Sequence, residues 1–384
     1  MYRLTQSVTE GAFVQNPYPT YDLARAQGDL VWWDAYDMPA AMSHRAVRML
    51  LTDRRLGRAT PQNMEPIPQP HLPTWEAVEA HSMLELEPPT HTRLRGLVLR
   101  AFTGRMVNAL APSIETLSHR LIDQFPDEPF DLLKHFAQPL PVTVIANLLG
   151  VPTTRIDDLL KWSNTMVAMY QPARTRAVED AAEAATKDFI TYLDDIINHR
   201  RKHPGTDLIT DLIAAEEAGE TLNAAELTST IILLLNAGHE ATVHTIGNAV
   251  KTLADHPADI TPQTLEELLR FDPPLHIFTR WTYEDIDCFG TTIPKNTQVA
   301  CVLAAANRDP AAFDNPNQFD PHRKPNKHKS FGAGIHFCVG APLARLEIEI
   351  GLRTLFQRCP NLKITEPPHY AKTYHFHGLT QLMV

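Results

Sequence analysis

The chain has 384 residues, 43% of them hydrophobic and 21% charged, with a formal net charge of −10. That length builds one large domain or two modest ones, and the negative balance excludes the basic field that a nucleic-acid binder needs. The start, MYRLTQSVTEG, shows no charged-then-apolar leader, and the most apolar run, Ile231 to Leu235, is too short to cross a bilayer. A soluble, cytoplasmic, membrane-free protein is therefore expected.

In chain order, Val31 to Trp33 reads as a first short strand, and Pro61 to Pro73 as a long irregular segment. Apolar residues at helical spacing follow over Val98 to Val107, Ile114 to Ile122, Val142 to Leu149 and Ala181 to Ile197. The pattern then runs from Leu222 to Leu253 without a proline, with Asn223 and Glu226 placed as an N-cap and capping box. At 1.5 Å per residue this helix spans on the order of 50 Å. Its middle reads LLLNAGHEAT, where two small residues, Ala237 and Gly238, meet a histidine and a carboxylate. Ile286 to Phe289 and Thr297 to Val302 read as strands, Pro310 to Pro325 as irregular chain, and Leu343 to Phe356 as a last helix. The fold class is mainly α with small β-sheets.

Four cysteines (288, 301, 338 and 359) stand far apart with no CxxC pair, which excludes a disulfide framework or a four-thiolate zinc site. Cys338 differs from the rest in its surroundings, SFGAGIHFCVGAPLA over Ser330 to Ala344. The glycines permit positive φ and close packing against a flat ligand. A helix beginning near Pro342 would turn amide N–H groups toward the sulfur and favour its anion.

Phe331, Gly334, Cys338 and Gly340 reproduce the pattern Phe-x-x-Gly-x-x-x-Cys-x-Gly, and in this the chain resembles the cytochrome P450 family of the bacterial, soluble type. The resemblance implies haem b (iron protoporphyrin IX) held between a long central helix and a cysteine loop-helix. Cys338 would be its axial thiolate, and Phe331, Gly332 and Gly340 would belong to the same cradle. In PPTHTRLR, His91 and Arg95 lie four apart, and with Arg280 and His336 they match the family's propionate-binding positions. Arg93 and Arg100 fall on other faces and are expected at the surface. Glu267 and Arg270 match the family's structural Glu-x-x-Arg pair, with Arg323 as its third member. In the central helix Ala237 and Gly238 would form an oxygen groove and Glu240 would be the acid of a proton relay. The usual threonine is replaced by Ala241, and Thr242 comes one place later, about 100° around the helix. A local bulge that brings Thr242 into place, a water or substrate hydroxyl, or poor coupling are the three outcomes. His239 is expected to be a packing histidine.

The activity implied is monooxygenation of a small-to-medium apolar substrate. The alternative is peroxide-driven or non-monooxygenase chemistry on the same fold. The pocket would be lined from Pro61 to Glu87, Trp162 to Gln171, the central helix, Pro274 to Thr279 and His375 to Leu379. These stretches offer Met166, Met169, Tyr170, Leu275, Ile277, Phe278 and Phe376. His276, His375 and His377 are candidate polar anchors, with structural roles favoured. Residues 1–384 are read as one monomeric domain. Electrons would come from a separate ferredoxin- or flavodoxin-type donor with its reductase, docking on Arg100, Arg105, Lys327, Lys329 and Arg345.

Overall fold

A computed structural model describes residues 1–64, 67–170, 174–217, 222–373 and 376–384; Gln171 and His375 lie outside them. The organising element is the helix Ala224–Asp255. Its start is the expected capping box: the Asn223 side chain accepts from the Glu226 N–H at 2.9 Å, and the Glu226 carboxylate accepts from the Asn223 N–H at 3.0 Å. The same carboxylate takes two bonds from Arg93, at 2.5 and 3.0 Å. Arg93 is therefore not a surface charge as expected; it clamps the helix Thr90–Ala101 to the start of the central helix.

The central helix crosses the body and packs on Pro139–Leu149, Ile156–Val167, Pro73–Glu79 and the C-terminal helix Ala341–Arg358. Ile231, Ile232, Leu234 and Leu235 are buried in one core with Ile145, Leu149, Leu352 and Leu355. Each such side chain contributes roughly 1.5–3 kcal/mol on burial. The expected helix over Val98 to Val107 is two helices, Thr90–Ala101 and Gly104–Asn108. Thr103 separates them because its hydroxyl accepts from the Met106 N–H and caps the second, a bond that competes with continuing the first.

A six-stranded sheet lies beside this helical body, in the order Tyr2–Leu4, Leu30–Trp33, Met38–Ala41, Gln298–Val302, Ile277–Thr282 and Leu56–Gly57. Ile286–Cys288 and Thr291–Ile293 form a small hairpin. The irregular stretch from Pro310 to Pro325 is held by two guanidiniums. Arg270 donates to the carbonyls of Asn307 and Pro316 at 2.8 Å, and Arg323 donates to that of Asp314 at 2.7 Å. Both pair with Glu267, and Glu267 and Arg270 are 0% exposed. The expected three-residue cluster is thus present, and it replaces the backbone partners that regular structure would have supplied. Among the described residues no helix is long and apolar enough to cross a membrane.

Candidate active site

The cysteine loop is shaped by two left-handed glycines, Gly332 at φ +72° and Gly334 at φ +76°. At Gly334 a Cβ would also stand 2.3 Å from the Leu51 carbonyl oxygen. The Cys338 N–H donates to the Phe331 carbonyl at 3.0 Å, closing the loop. Arg95 donates to the Phe337 carbonyl at 2.6 Å and tethers it to the helix Thr90–Ala101. Gly340 has φ −81°, so left-handed freedom is not what it supplies. A Cβ there would sit 3.9 Å from the Cys338 sulfur, an ordinary contact, so what the residue supplies is its N–H group. Burial pushes the Cys338 thiol up, opposed by the N–H groups of Gly340 and Ala341, which hydrogen-bond the sulfur, and by the charge of Arg95. Burial likewise raises Cys288, Cys301 and Cys359, Cys301 to about 11, with Asp287 and Asp53 adding to it at Cys288, and no backbone donor opposes it at any of the three. Only Cys338 of the four is furnished to be a thiolate.

Next to this loop four basic side chains converge. His91 is 3% exposed, and its Nδ1 is buried without a hydrogen-bond partner. Burial, with the neighbouring His336 and Arg95, pushes it down to about 4. The His91 and His336 rings lie 4.3 Å apart. Arg280 is buried on the strand Ile277–Thr282, its guanidinium donating to the Thr279 carbonyl at 2.8 Å. Neither Arg95 nor Arg280 has a carboxylate within salt-bridge distance among the described residues. A buried imidazole nitrogen with no partner and two guanidiniums with no anion call for an anionic acceptor. His336 stands apart, because its Nε2 is engaged by Glu87 at 2.9 Å. Glu87, which the sequence patterns did not single out, also accepts from the Arg58 N–H at 2.6 Å.

The central helix is unbroken through its polar middle, so the bulge that would redirect Thr242 is absent. At about 100° per residue, Ala237, Glu240, Ala241 and His244 share one side of the helix, while Thr242 points roughly 140° away from Ala237. Thr242 is 5% exposed, whereas Ala237 is exposed in mid-helix although Leu234 and Leu235 are buried. Gly238 lies near the side of Thr242, and a Cβ there would meet the Ile145 side chain at 2.7 Å. Its smallness serves the approach of the helix Pro139–Leu149 and does not open a groove beside Ala237. Glu240 lies 3.4 Å from His244 and 3.6 Å from His239. Burial would raise its carboxyl, but the hydrogen bond from His244 and both imidazoles outweigh this and hold it below the usual range. His239 is a packing residue as expected, buried with Nδ1 at 2.8 Å from the Leu235 carbonyl.

Some expected pocket residues lie elsewhere. Met169 is enclosed with Leu72 and Ala182, and His276 and His377 are buried beside Asp272, Tyr18 and Tyr370. His377 forms part of the wall of an outer cleft of about 430 Å³. Phe278 packs against Gly332, and Leu275 bridges to Phe376. Tyr170 donates to Glu79 at 3.0 Å, and burial pushes that carboxyl up to about 7. Of the basic patch, Arg100, Arg105 and Lys327 are exposed, Lys329 is half-buried, and Arg345 is tied to Glu266 at 2.5 Å.

The family model described as Cytochrome P450 matches residues 62–259 and 258–368. The chain belongs to the cytochrome P450 family. It is 37% identical over 380 residues to the cytochrome P450 monooxygenase PikC of Streptomyces venezuelae, covering 93% of this chain and 87% of that protein. It is 34% identical to the biotin biosynthesis cytochrome P450 of Bacillus subtilis over 99% of both chains. Among solved structures, P450BioI in complex with acyl carrier protein ligated to hexadec-9Z-enoic acid superposes with a TM-score of 0.90 at 34% identity, covering 97% of this chain and 99% of that one. Myxobacterial CYP267B1 in complex with myristic acid gives 0.89 at 35% identity, over 98% of each chain. The protein is a P450 monooxygenase with the P450 fold, and P450s carry haem b on a cysteine thiolate. The donor set fits that group: a sulfur with main-chain donors, an unpartnered buried imidazole nitrogen, and two guanidiniums without carboxylates.

Proposed function

We propose that Cys338 is the axial thiolate of haem b, and that this P450 oxidises an extended apolar substrate with electrons from a separate ferredoxin- or flavodoxin-type donor. The observation that carries the assignment is the pair of N–H groups at Gly340 and Ala341 directed at the one cysteine bordered by His91 and Arg95. When bound, the haem supplies activation of dioxygen and insertion of one of its oxygen atoms into the substrate, favoured by electron donation from the thiolate. His91, Arg95 and Arg280 would hold the propionates. His336 acts one step back, fixed by Glu87 and with its ring tilted against that of His91. Ala237 and Ala241 leave space on the substrate side of the central helix, and Glu240 holds or releases a proton at Oε1.

The apolar substrate class is supported by Phe278 against Gly332 of the cysteine loop, by Phe376, bridged to Leu275 and 5.4 Å from the His244 ring of the central helix, and by two solved relatives whose complexes contain fatty acyl chains. Exposed Arg105 lies on the short helix that packs against the C-terminal helix, and with Arg100 and Lys327 it supports docking of an acidic donor on that side.

The test is the absorption spectrum of the reduced, CO-bound protein. The native chain gives a strongly red-shifted Soret band that Cys338→Ser loses while binding the same amount of haem. A native spectrum without that band, or a variant that keeps it, overturns the assignment. Ala241 favours a second reading, turnover driven by peroxide. Product formed with hydrogen peroxide alone, and none with NAD(P)H and redox proteins, would select it.

A further inference from the structure

We propose that His244 is the group that reloads Glu240 with a proton, supplied from the C-terminal segment behind the central helix; this rests on Glu240 serving as the acid of the oxygen side. From Ala237 to His244 this helix face offers no hydroxyl, since Ala241 replaces threonine and Thr242 is turned away. The next polar groups on that side are Glu240 and, one turn on, His244, whose Nε2 lies 3.4 Å from Glu240 Oε1.

The other end of the imidazole is equally placed. Its Nδ1 is buried without a hydrogen-bond partner, a situation normally relieved by an ordered water. The ring lies against Gly378 so closely that a Cβ there would fall 1.9 Å from Nδ1. Gly378 does not have a left-handed φ; the contact with His244 is what excludes a side chain. Its neighbour His377 forms part of the wall of the outer cleft, together with Asp272, Lys251, Asp255 and Tyr370. Asn248, four residues beyond His244, donates to the carbonyls of His377 at 2.8 Å and Asp272 at 3.2 Å, pinning this wall to the helix. Glu240, His244, Gly378 and His377 thus run from the substrate side of the helix to an open cleft.

The step is a proton transfer. The Nε2–H bond of neutral His244, whose Nδ1 starts unprotonated, breaks as the O–H bond of Glu240 forms at Oε1, while a proton from water on the cleft side binds Nδ1 and leaves the ring neutral as the Nδ1–H tautomer. Imidazole suits the task because it exchanges protons near neutral pH through two distinct nitrogens. The titratable groups that face Glu240 are His239 and His244. Those that face His244 are Glu240, His239 and, from the C-terminal segment, His377, which itself faces Lys251 and Arg308.

The test compares His244→Asn and His244→Phe with Glu240→Gln. In the infrared, the protonated carboxyl band of Glu240, identified by its loss in Glu240→Gln, titrates with a midpoint that moves up by about one pH unit in both His244 variants. In the holoenzyme, product per NAD(P)H falls about tenfold in both, less than the ~100-fold or more that a general acid–base group itself supplies, because Glu240 remains in place, and the solvent deuterium isotope effect rises. Glu240→Gln that uncouples while both His244 variants keep native coupling and midpoint overturns the relay and leaves the acid standing. Lower thermal stability of the His244 variants with an unmoved midpoint also overturns it. Native coupling in Glu240→Gln removes the reading on which it rests.

Discussion

The cysteine side of the pocket and the central-helix side are built from different materials. Around Cys338 the decisive donors are main-chain N–H groups, at Gly340 and Ala341, in a loop whose turns at 332 and 334 require glycine. On the central helix the working groups are side chains, Glu240 and His244, whose mutual distance is 3.4 Å rather than a tight hydrogen bond. Backbone donors cannot be substituted away, so that side is written as fixed offsets around one cysteine. Side chains on a helix can exchange roles with neighbours on the same face, so that side can depart from pattern, as it does at Ala241, without losing its chemistry.

The largest expected effect lies on the cysteine side. Glu267→Gln leaves Arg270 and Arg323 buried without their anion, and unfolding free energy falls by on the order of 3–5 kcal/mol. Thermal unfolding measures this, and a loss below about 1 kcal/mol would break the claim that this cluster holds the route to the cysteine loop.

Next comes Glu79, at the substrate side. Burial raises its carboxyl from 4.5 to about 7, against the bond from Tyr170. Between those values the folded chain holds a proton that the unfolded chain has released. Stability therefore falls as pH rises through that window, and the deficit is complete above it. Glu79→Gln should gain on the order of 2–3 kcal/mol at pH 8 and little at pH 4. Equal gains at both would sink the linkage.

Glu240→Gln should lower product per NAD(P)H by roughly 10–100-fold with an unchanged CO spectrum. This sharpens the comparison, because it touches only the side-chain half of the pocket. The smallest effect is expected from Thr242→Val. A hydroxyl turned toward the side of Gly238 delivers no proton, so coupling stays within about twofold of native. A loss as large as that of Glu240→Gln would show that the helix rearranges during turnover.

The long helix and its capping box were legible because apolar spacing and cap chemistry are local properties. The cysteine loop was legible because its glycines are demanded by φ values within a few residues. Thr103, which divides the expected helix over Val98 to Val107, was not, since a threonine inside an apolar pattern reads equally well as helix or cap. The strand Met38–Ala41, MPAA, carries no alternating pattern, because Ala40 packs into one core and Ala41 into another, so neither face needs polar residues. Glu87 and Glu79 passed unnoticed for a different reason. Each is one carboxylate in a loop-rich segment until a partner distant in sequence, His336 or Tyr170, comes within 3 Å or so.

The same division separates the two halves of the pocket. Sequence alone singled out Cys338 as the thiolate candidate, because the main-chain donors at its sulfur, Gly340 and Ala341, are its own chain neighbours, whereas Arg95 is brought there by the fold. Only the tertiary structure decided that Gly238 faces Ile145, that Thr242 is turned away, and that His244 lies between Glu240 and Gly378. Those facts depend on how the central helix is rotated about its axis, and that rotation is set by packing against the elements around it, not by any residue of the helix itself.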